Sequence, residues 1–256
     1  PHDQASLTGA DPLQIKRKFP QVTVAVAEDR CLGVNTLQTQ HDAILLDDAF
    51  QHRRLKPSFA ILLFDYQSLL EPILPLPTGN FRDLMPESRR AQVIVITKCP
   101  NSISLAEAEN IKNKLLKYSS APVFFSRIRY SQVQSDRHSL NTEDLKTMDI
   151  LLLTGIANPK PLSAYLQPLC KNISHLRYAD HHSFTQADLS HIAKSYTAIA
   201  AAEKCILTTE KDYQRLPAAF LAEHPVIYIP IAQEILFNEK DIFDLLIKQA
   251  CTKPTA

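Results

Sequence analysis

An apolar run, Ala43-Ile-Leu-Leu, leads into Asp47-Asp48 and then into Ala49-Phe-Gln-His-Arg-Arg54. Two adjacent carboxylates at the carboxyl end of a buried strand lie at the edge where α/β sheets bind ligands. There they hold Mg²⁺ directly or through water, and the pattern has the form of a Walker B element. Strands also end in Asp for turn and capping reasons. The polar tail weighs on the side of chemistry: Gln51, His52, Arg53 and Arg54 beside two acids make a costly cluster unless an anion and a metal sit nearby.

A second candidate is Leu76-Pro-Thr-Gly-Asn-Phe-Arg-Asp83. Gly79 lets the backbone approach a ligand, Arg82 offers a phosphate clamp and Asp83 a further metal-shell carboxylate, whereas the plain alternative is a proline-pinned surface turn. Val93-Ile-Val-Ile-Thr-Lys98 ends a strand in Thr-Lys, where nucleotide-binding α/β folds often meet the base. Lys98 can equally cap the sheet edge.

Later in the chain, Gly155 and Pro159 mark a strand-to-turn-to-helix junction, and Asp180-His181-His182 offers an acid and two imidazoles at a strand edge. That trio reads as a metal site, a proton-transfer group or a helix entry with solvated histidines. Thr208-Thr-Glu-Lys-Asp212 closes another strand with a charged turn, where Glu210 and Lys211 pair with each other or reach a cleft.

The elements that must position these groups follow from short apolar runs rich in β-branched residues, alternating with stretches of helical spacing. This is the mark of βαβ units and a parallel sheet. Strands are expected at 22–27, 43–48, 60–65, 93–97 and 123–125, and a second series at 150–154, 174–178, 205–208 and 226–229. Ser104-Leu-Ala-Glu107 and Thr185-Gln-Ala-Asp188 read as capping boxes that open helices. The four prolines Pro72, Pro75, Pro77 and Pro86 preclude a regular helix there and point to an ordered surface loop. A weakly periodic polar stretch divides the chain into a first lobe at 1–126, a connector at 127–148 and a second lobe at 149–256.

Composition removes several classes. With 28 Lys+Arg against 27 Asp+Glu, the net charge of +1 gives no global field for nucleic acid. Nucleic acid is therefore not expected as a partner. No apolar run reaches the roughly 18 residues of a membrane span. The five cysteines are scattered with no C-x-x-C pair, which indicates neither a disulfide framework nor a structural zinc. Only 4 of 256 residues are glycine, and neither G-x-x-x-x-G-K-S/T nor G-x-G-x-x-G occurs. The chain starts at Pro1 without methionine, so a preceding segment is expected.

Taken in order, Asp47-Asp-Ala-Phe-Gln-His-Arg-Arg54, Leu76-Pro-Thr-Gly-Asn-Phe-Arg-Asp83, Val95-Ile-Thr-Lys98, Gly155-Ile-Ala-Asn-Pro159, Ala179-Asp-His-His182-x-Phe184 and Thr208-Thr-Glu-Lys-Asp212 resemble the tetraacyldisaccharide 4′-kinase family. The resemblance spans nearly the whole chain. It implies an α/β fold: an incomplete P-loop NTPase-like parallel-sheet lobe with a smaller Rossmann-like lobe. It also implies transfer of the ATP γ-phosphoryl group to the 4′-hydroxyl of an acylated glucosamine disaccharide 1-phosphate in lipid A biosynthesis, with ATP and Mg²⁺ as cofactors. Peripheral contact at the cytoplasmic face of the inner membrane is implied as well.

By the same resemblance, Asp47 and Asp48 manage Mg²⁺, Gln51 and His52 line the transfer cleft, and Arg82 and Lys98 face the nucleotide. Asp83 falls where the family usually has glutamate, which implies a water-mediated metal contact. His181 matches the histidine that works with a catalytic aspartate to deprotonate the sugar hydroxyl, and His182 supports it or faces solvent. Arg53, Arg54 and Lys56 are candidates for meeting the 1-phosphate or lipid headgroups, while Arg89 and Arg90 read as a solvated basic face.

Two departures stand out. The family's phosphate loop and its lysine are absent from these residues, so little activity is expected of this stretch alone. At Thr8-Gly-Ala-Asp-Pro12 the family's first acid, the catalytic aspartate, is replaced by Ala10. Asp11 stands where the family has glutamate, so the simplest pairing loses the base and a local realignment is needed for Asp11 to serve. Two other readings follow. One is a catalytically silent remnant that binds glycolipid or a partner. The other is a metal phosphoesterase of the DHH type, suggested by Asp180-His-His182 but without that family's further aspartates or glycine-rich motif.

Overall fold

A computed structural model describes residues 10–71, 82–135 and 140–252, with the side chains of Ala10, Asp11 and Leu13 outside that description. The fold is mixed α/β with two four-stranded sheets among the described residues. One has the order β1-β2-β3-β8, from β1 (Ile61–Asp65), β2 (Val93–Thr97), β3 (Val123–Tyr130) and β8 (Ile231–Ile235). The other has the order β5-β4-β6-β7, from β4 (Asp149–Thr154), β5 (Asn172–Arg177), β6 (Lys204–Thr209) and β7 (Val226–Ile229).

The second sheet shows why uninterrupted apolar runs make parallel strands. Every pair in it is parallel, and successive apolar residues of β4, β6 and β7 enter opposite cores. Ile150, Leu152, Cys205, Leu207, Ile227 and Ile229 pack with Leu162 and Leu166 of the helix Lys160–Leu166. Leu151, Leu153, Ile206 and Val226 pack with Leu189 and Ile192 of the helix Gln186–Ala198 and with Phe220. Each fully buried Leu or Ile contributes roughly 1.5–3 kcal/mol relative to exposure.

The first sheet is built likewise around β2. Ile94, Ile96 and Phe125 meet Ala108, Ile111 and Leu115 of the helix Leu105–Leu116, and Val93, Val95 and Phe124 meet Phe243 and Leu246 of the helix Lys240–Thr252. Both capping boxes form as the sequence indicates, at Ser104/Glu107 and Thr185/Asp188.

β8 is not evident in the sequence, because its short run carries Gln233 and Glu234. The structure supplies partners for both: the Ser126 hydroxyl donates to Gln233 at 3.1 Å, and Arg127 donates to Glu234 at 2.9 and 3.2 Å. Ser131 N–H bonds to the Pro230 carbonyl and Leu236 N–H to the Phe125 carbonyl, so residue numbers fall along β8 as they rise along β3 and the two strands lie antiparallel.

Two expected strands do not form. Residues 22–27 and 43–48 have no regular structure, and Val26 and Leu45 are 64% and 92% exposed. A strand needs a neighbouring strand to pair with, and among the described residues neither segment has one. Asp47 and Asp48 therefore stand in a bend after an extended stretch, not at the end of a sheet strand.

By contacts the chain forms two compact units, each drawn from two stretches. One takes in the chain up to Val26 and Tyr130–Ile231; the other takes Ala27–Arg129 and Ala232–Ala256. The division at 1–126, 127–148 and 149–256 drawn from the sequence runs straight along the chain. In the contact units the helix Ala10–Lys18 goes with the later strands, and β8 with the helix Lys240–Thr252 goes with the earlier ones.

Candidate functional site

In the unit holding β1–β3, the Asp47–Arg54 stretch is fixed by charged contacts. Asp48 adopts the left-handed backbone at φ 45°, and one Arg82 Nη1 donates to both its carboxylate oxygens, at 2.9 and 2.8 Å. Arg30 donates to the Asp48 carbonyl at 3.4 Å. Arg30 opens the helix Arg30–Leu37, whose N-cap Asp29 accepts from the Cys31 and Leu32 N–H groups. Those bonds hold the Asp29 carboxyl below its ordinary value.

Asp83 is held differently. Its carboxylate meets Arg53 at 3.5 Å and Arg90 at 3.2 Å, and both arginines also pair with Glu87. Arg90 further donates to the Phe50 carbonyl at 3.0 Å and lies 4.2 Å over the Phe50 ring. The reading of Arg90 as a solvated cation is thus corrected: it is half-buried and ties the Asp47–Arg54 stretch to the turn at Met85–Arg90. Of the Leu76–Asp83 motif, residues 76–81 lie outside the described residues.

Among the described residues no three His, Cys, Asp or Glu side chains form a group able to hold a metal ion. The donor set therefore does not make a protein-only cage. Exposed Asp47 and Asp48 do fit the other way of holding Mg²⁺, by one or two carboxylates together with phosphate oxygens and water. His52 fits a polar neighbour too, since its Nδ1 is buried without a hydrogen-bond partner among the described residues. Gln51 beside it is exposed. Lys98, in left-handed backbone at φ 57°, pairs with Asp65 at 2.8 Å, bridging the carboxyl ends of β2 and β1.

In the other unit, the carboxyl ends of β4, β5 and β6 carry a second cluster. His181, also left-handed at φ 57°, donates its N–H to the Gly155 carbonyl at 3.2 Å and to Asp180 at 3.0 Å. Its ring Nε2 lies 3.3 Å from Lys211 Nζ, and its Nδ1 lies 3.4 Å from Arg215 Nη2. His182 is engaged elsewhere: its ring meets Asp188 at 2.9 Å and packs on Tyr178 and Phe184. The trio Asp180-His181-His182 thus does not converge on a point. Glu210 and Lys211 do not pair with each other: Glu210 meets Lys18 at 3.1 Å while Lys211 meets His181.

Asp11 lies in the first turn of the helix Ala10–Lys18. The Lys18–Glu210 pair and a hydrogen bond from Arg17 to Gln214 tie that helix to the segment bearing Lys211, so Asp11 and His181 belong to the same unit.

Sequence reasoning gave Asp212 no role beyond closing the Thr208–Asp212 turn and passed over Arg215. The available signal was a further Thr-x-x-Asp pattern, Thr209 to Asp212, with Arg215 three residues further on.

A family model described as tetraacyldisaccharide-1-P 4′-kinase matches residues 1–251. A tetraacyldisaccharide 4′-kinase of Flavobacterium psychrophilum is 39% identical over 94% of this chain and 69% of its own length. One from Bacteroides thetaiotaomicron is 37% identical over 95% of this chain and 69% of its own length. One from Flavobacterium johnsoniae is 37% identical over 97% and 72%.

Proposed function

Because this chain belongs to the tetraacyldisaccharide-1-P 4′-kinase family, we propose that it takes part in moving the γ-phosphoryl group of ATP to the 4′-hydroxyl of a tetraacylated glucosamine disaccharide 1-phosphate in lipid A biosynthesis. The observation that carries the reading is the Arg82–Asp48 clamp beside Asp47. It pins one carboxylate of the pair and leaves the acids exposed at a bend, where a nucleotide-borne cation can be met.

Phosphoryl transfer asks the protein for positioning and charge neutralisation more than for covalent chemistry. Asp47 and Asp48 would hold Mg²⁺, which when bound would supply charge neutralisation at the phosphate oxygens. Arg82 orients Asp48, and Gln51 and His52 offer hydrogen bonds at the same turn. Asp83, already held by Arg53 and Arg90, acts on that shell at most through water. Lys98 offers a cation toward the nucleotide from the end of β2.

On the acceptor side, Asp11 takes the proton of the sugar hydroxyl and the His181 ring steadies the resulting charge arrangement. The docking of the Asp11 helix on the segment that carries Lys211 supports that pairing. The 256 residues contain no glycine-rich phosphate loop, so by themselves they transfer little or no phosphate. In this reading Arg54 and Lys56 meet the 1-phosphate or anionic headgroups at the cytoplasmic face of the inner membrane, which their exposure supports. No helix among the described residues is long and apolar enough to cross a membrane.

The test is ATP-dependent phosphorylation of the tetraacylated disaccharide 1-phosphate by the product of the intact gene, with and without Asp48→Asn. The expected result is product from the wild type and a loss of about a hundredfold in kcat for the variant. No product from the wild type, or equal turnover by both, counts against the reading.

A further inference from the structure

Beneath His181 lies a charged pair that the proposed mechanism does not use. Asp212 is fully buried, and its carboxylate accepts the Gly155 N–H at 2.9 Å, the Thr209 hydroxyl at 2.8 Å and Arg215 Nη1 at 3.0 Å. The Arg215 side chain is itself only 8% exposed. Burying an ion pair is seldom a net gain in stability, so a fully satisfied one at the carboxyl edge of a parallel sheet calls for another role. Gly155 is fitted to it: a Cβ there would lie 3.0 Å from Asp212 Oδ1.

The guanidinium reaches three groups at once. Nη1 donates to Asp212 and also to the Gly155 carbonyl at 3.3 Å, the same carbonyl that accepts the His181 N–H, and Nη2 points at His181 Nδ1 from 3.4 Å. Across the ring, Lys211 Nζ stands 3.3 Å from Nε2. Both cations are donors, and a neutral imidazole accepts at one nitrogen only. Arg215 is planar, and its bonds to Asp212 and the Gly155 carbonyl aim Nη2 at Nδ1, whereas the Lys211 ammonium can turn its donors to other acceptors, so the arginine has the firmer claim on the ring.

We propose that Arg215, locked by the buried Asp212, is a positioning residue that fixes His181 as the Nε2–H tautomer, with Nδ1 as acceptor. The ring then presents an N–H donor, suited to hold a carboxylate, on the side where Asp180 Oδ2 lies 3.8 Å away. The inference rests on the reading of His181 given above only for its use in transfer; the tautomer itself belongs to this chain alone.

The test is a long-range proton–nitrogen correlation spectrum of the ¹⁵N-labelled chain at about pH 9, above the ordinary histidine range, with the His181 signals assigned by their loss in His181→Asn. The wild type is expected to show the Nε2–H form. Arg215→Met is expected to swing the ring toward Nδ1–H as Lys211 takes Nε2, while Arg215→Lys retains much of the wild-type pattern and Lys211→Met leaves it unchanged. An Nδ1–H ring in the wild type overturns the proposal even if no variant folds, and so does an unchanged ring in Arg215→Met. In the intact gene product, Arg215→Met is expected to lower kcat about tenfold with KM for the disaccharide unmoved. A swung tautomer with normal transfer upholds the positioning role and instead removes His181 from the reaction.

Discussion

Arg82 and Asp48 are 34 positions apart in sequence, yet a single guanidinium nitrogen meets both carboxylate oxygens within 2.9 Å. The side chains are 63% and 65% exposed, so solvent screens the pair and its stability contribution is at most about 1 kcal/mol. Arg82→Ala is therefore expected to leave the urea midpoint nearly unchanged. Phosphoryl transfer by the intact gene product should fall by at least tenfold, because Asp48 loses its fixed orientation. A large loss of stability with unchanged turnover would make the pair architectural.

Asp212 presents the opposite balance. It has no exposed surface, and removing it strands Arg215 together with the Gly155 N–H. Asp212→Ala should cost roughly 3–5 kcal/mol, read from the urea unfolding transition of the unit that contains β4–β7. Gly155→Ala, which pushes on the same carboxylate, should destabilise in the same direction and by less.

Low pH should loosen the entry to the helix Gln186–Ala198. The Thr185 hydroxyl and N–H, together with His182, hold the Asp188 carboxyl down at about 2, against an ordinary 3.8. A carboxyl lowered in the folded state adds stability that is fully present above its unfolded value and is lost as pH falls through the folded one. The difference in thermal midpoint between wild type and Asp188→Asn is therefore expected to be constant above about pH 4 and to shrink toward pH 2. A difference that stays constant down to pH 2 would contradict this.

The thiols should divide by burial. Desolvation pushes Cys99 and Cys170 up to about 11 and Cys205 to about 12, whereas Cys251 is exposed. Alkylation at about pH 8 followed by peptide mass mapping should label Cys251 in the native chain, and the three raised thiols only after denaturation. Native labelling of Cys205 would show that the core around β6 opens.

Much of this was legible because the signals are local. The capping boxes at Ser104/Glu107 and Thr185/Asp188 close within one turn, and β2 and β7 coincide with their apolar runs, since strands covered on both faces have no polar residues to blur the pattern. The run at 43–48 looks the same in sequence, and only the want of a pairing partner among the described residues separates it from β2. Asp47, Asp48 and His181 stand out as residue types at turns. Their fixings do not: Arg82 is distant in sequence, and the Asp212–Arg215 pair matters through Gly155 and His181, which the fold brings from β4 and β5. β8 was hidden because its polar residues are matched one by one by Ser126 and Arg127.

The central claim is phosphate transfer to one particular hydroxyl. The most direct measurement is phosphorus–proton correlation NMR on the product formed by the intact gene product from ATP, Mg²⁺ and the tetraacylated disaccharide 1-phosphate. A new phosphomonoester coupled to the proton at the 4′ carbon is expected, formed far more slowly with His181→Asn and Asp48→Asn. A phosphate on any other position, or none at all from the wild type, would contradict it.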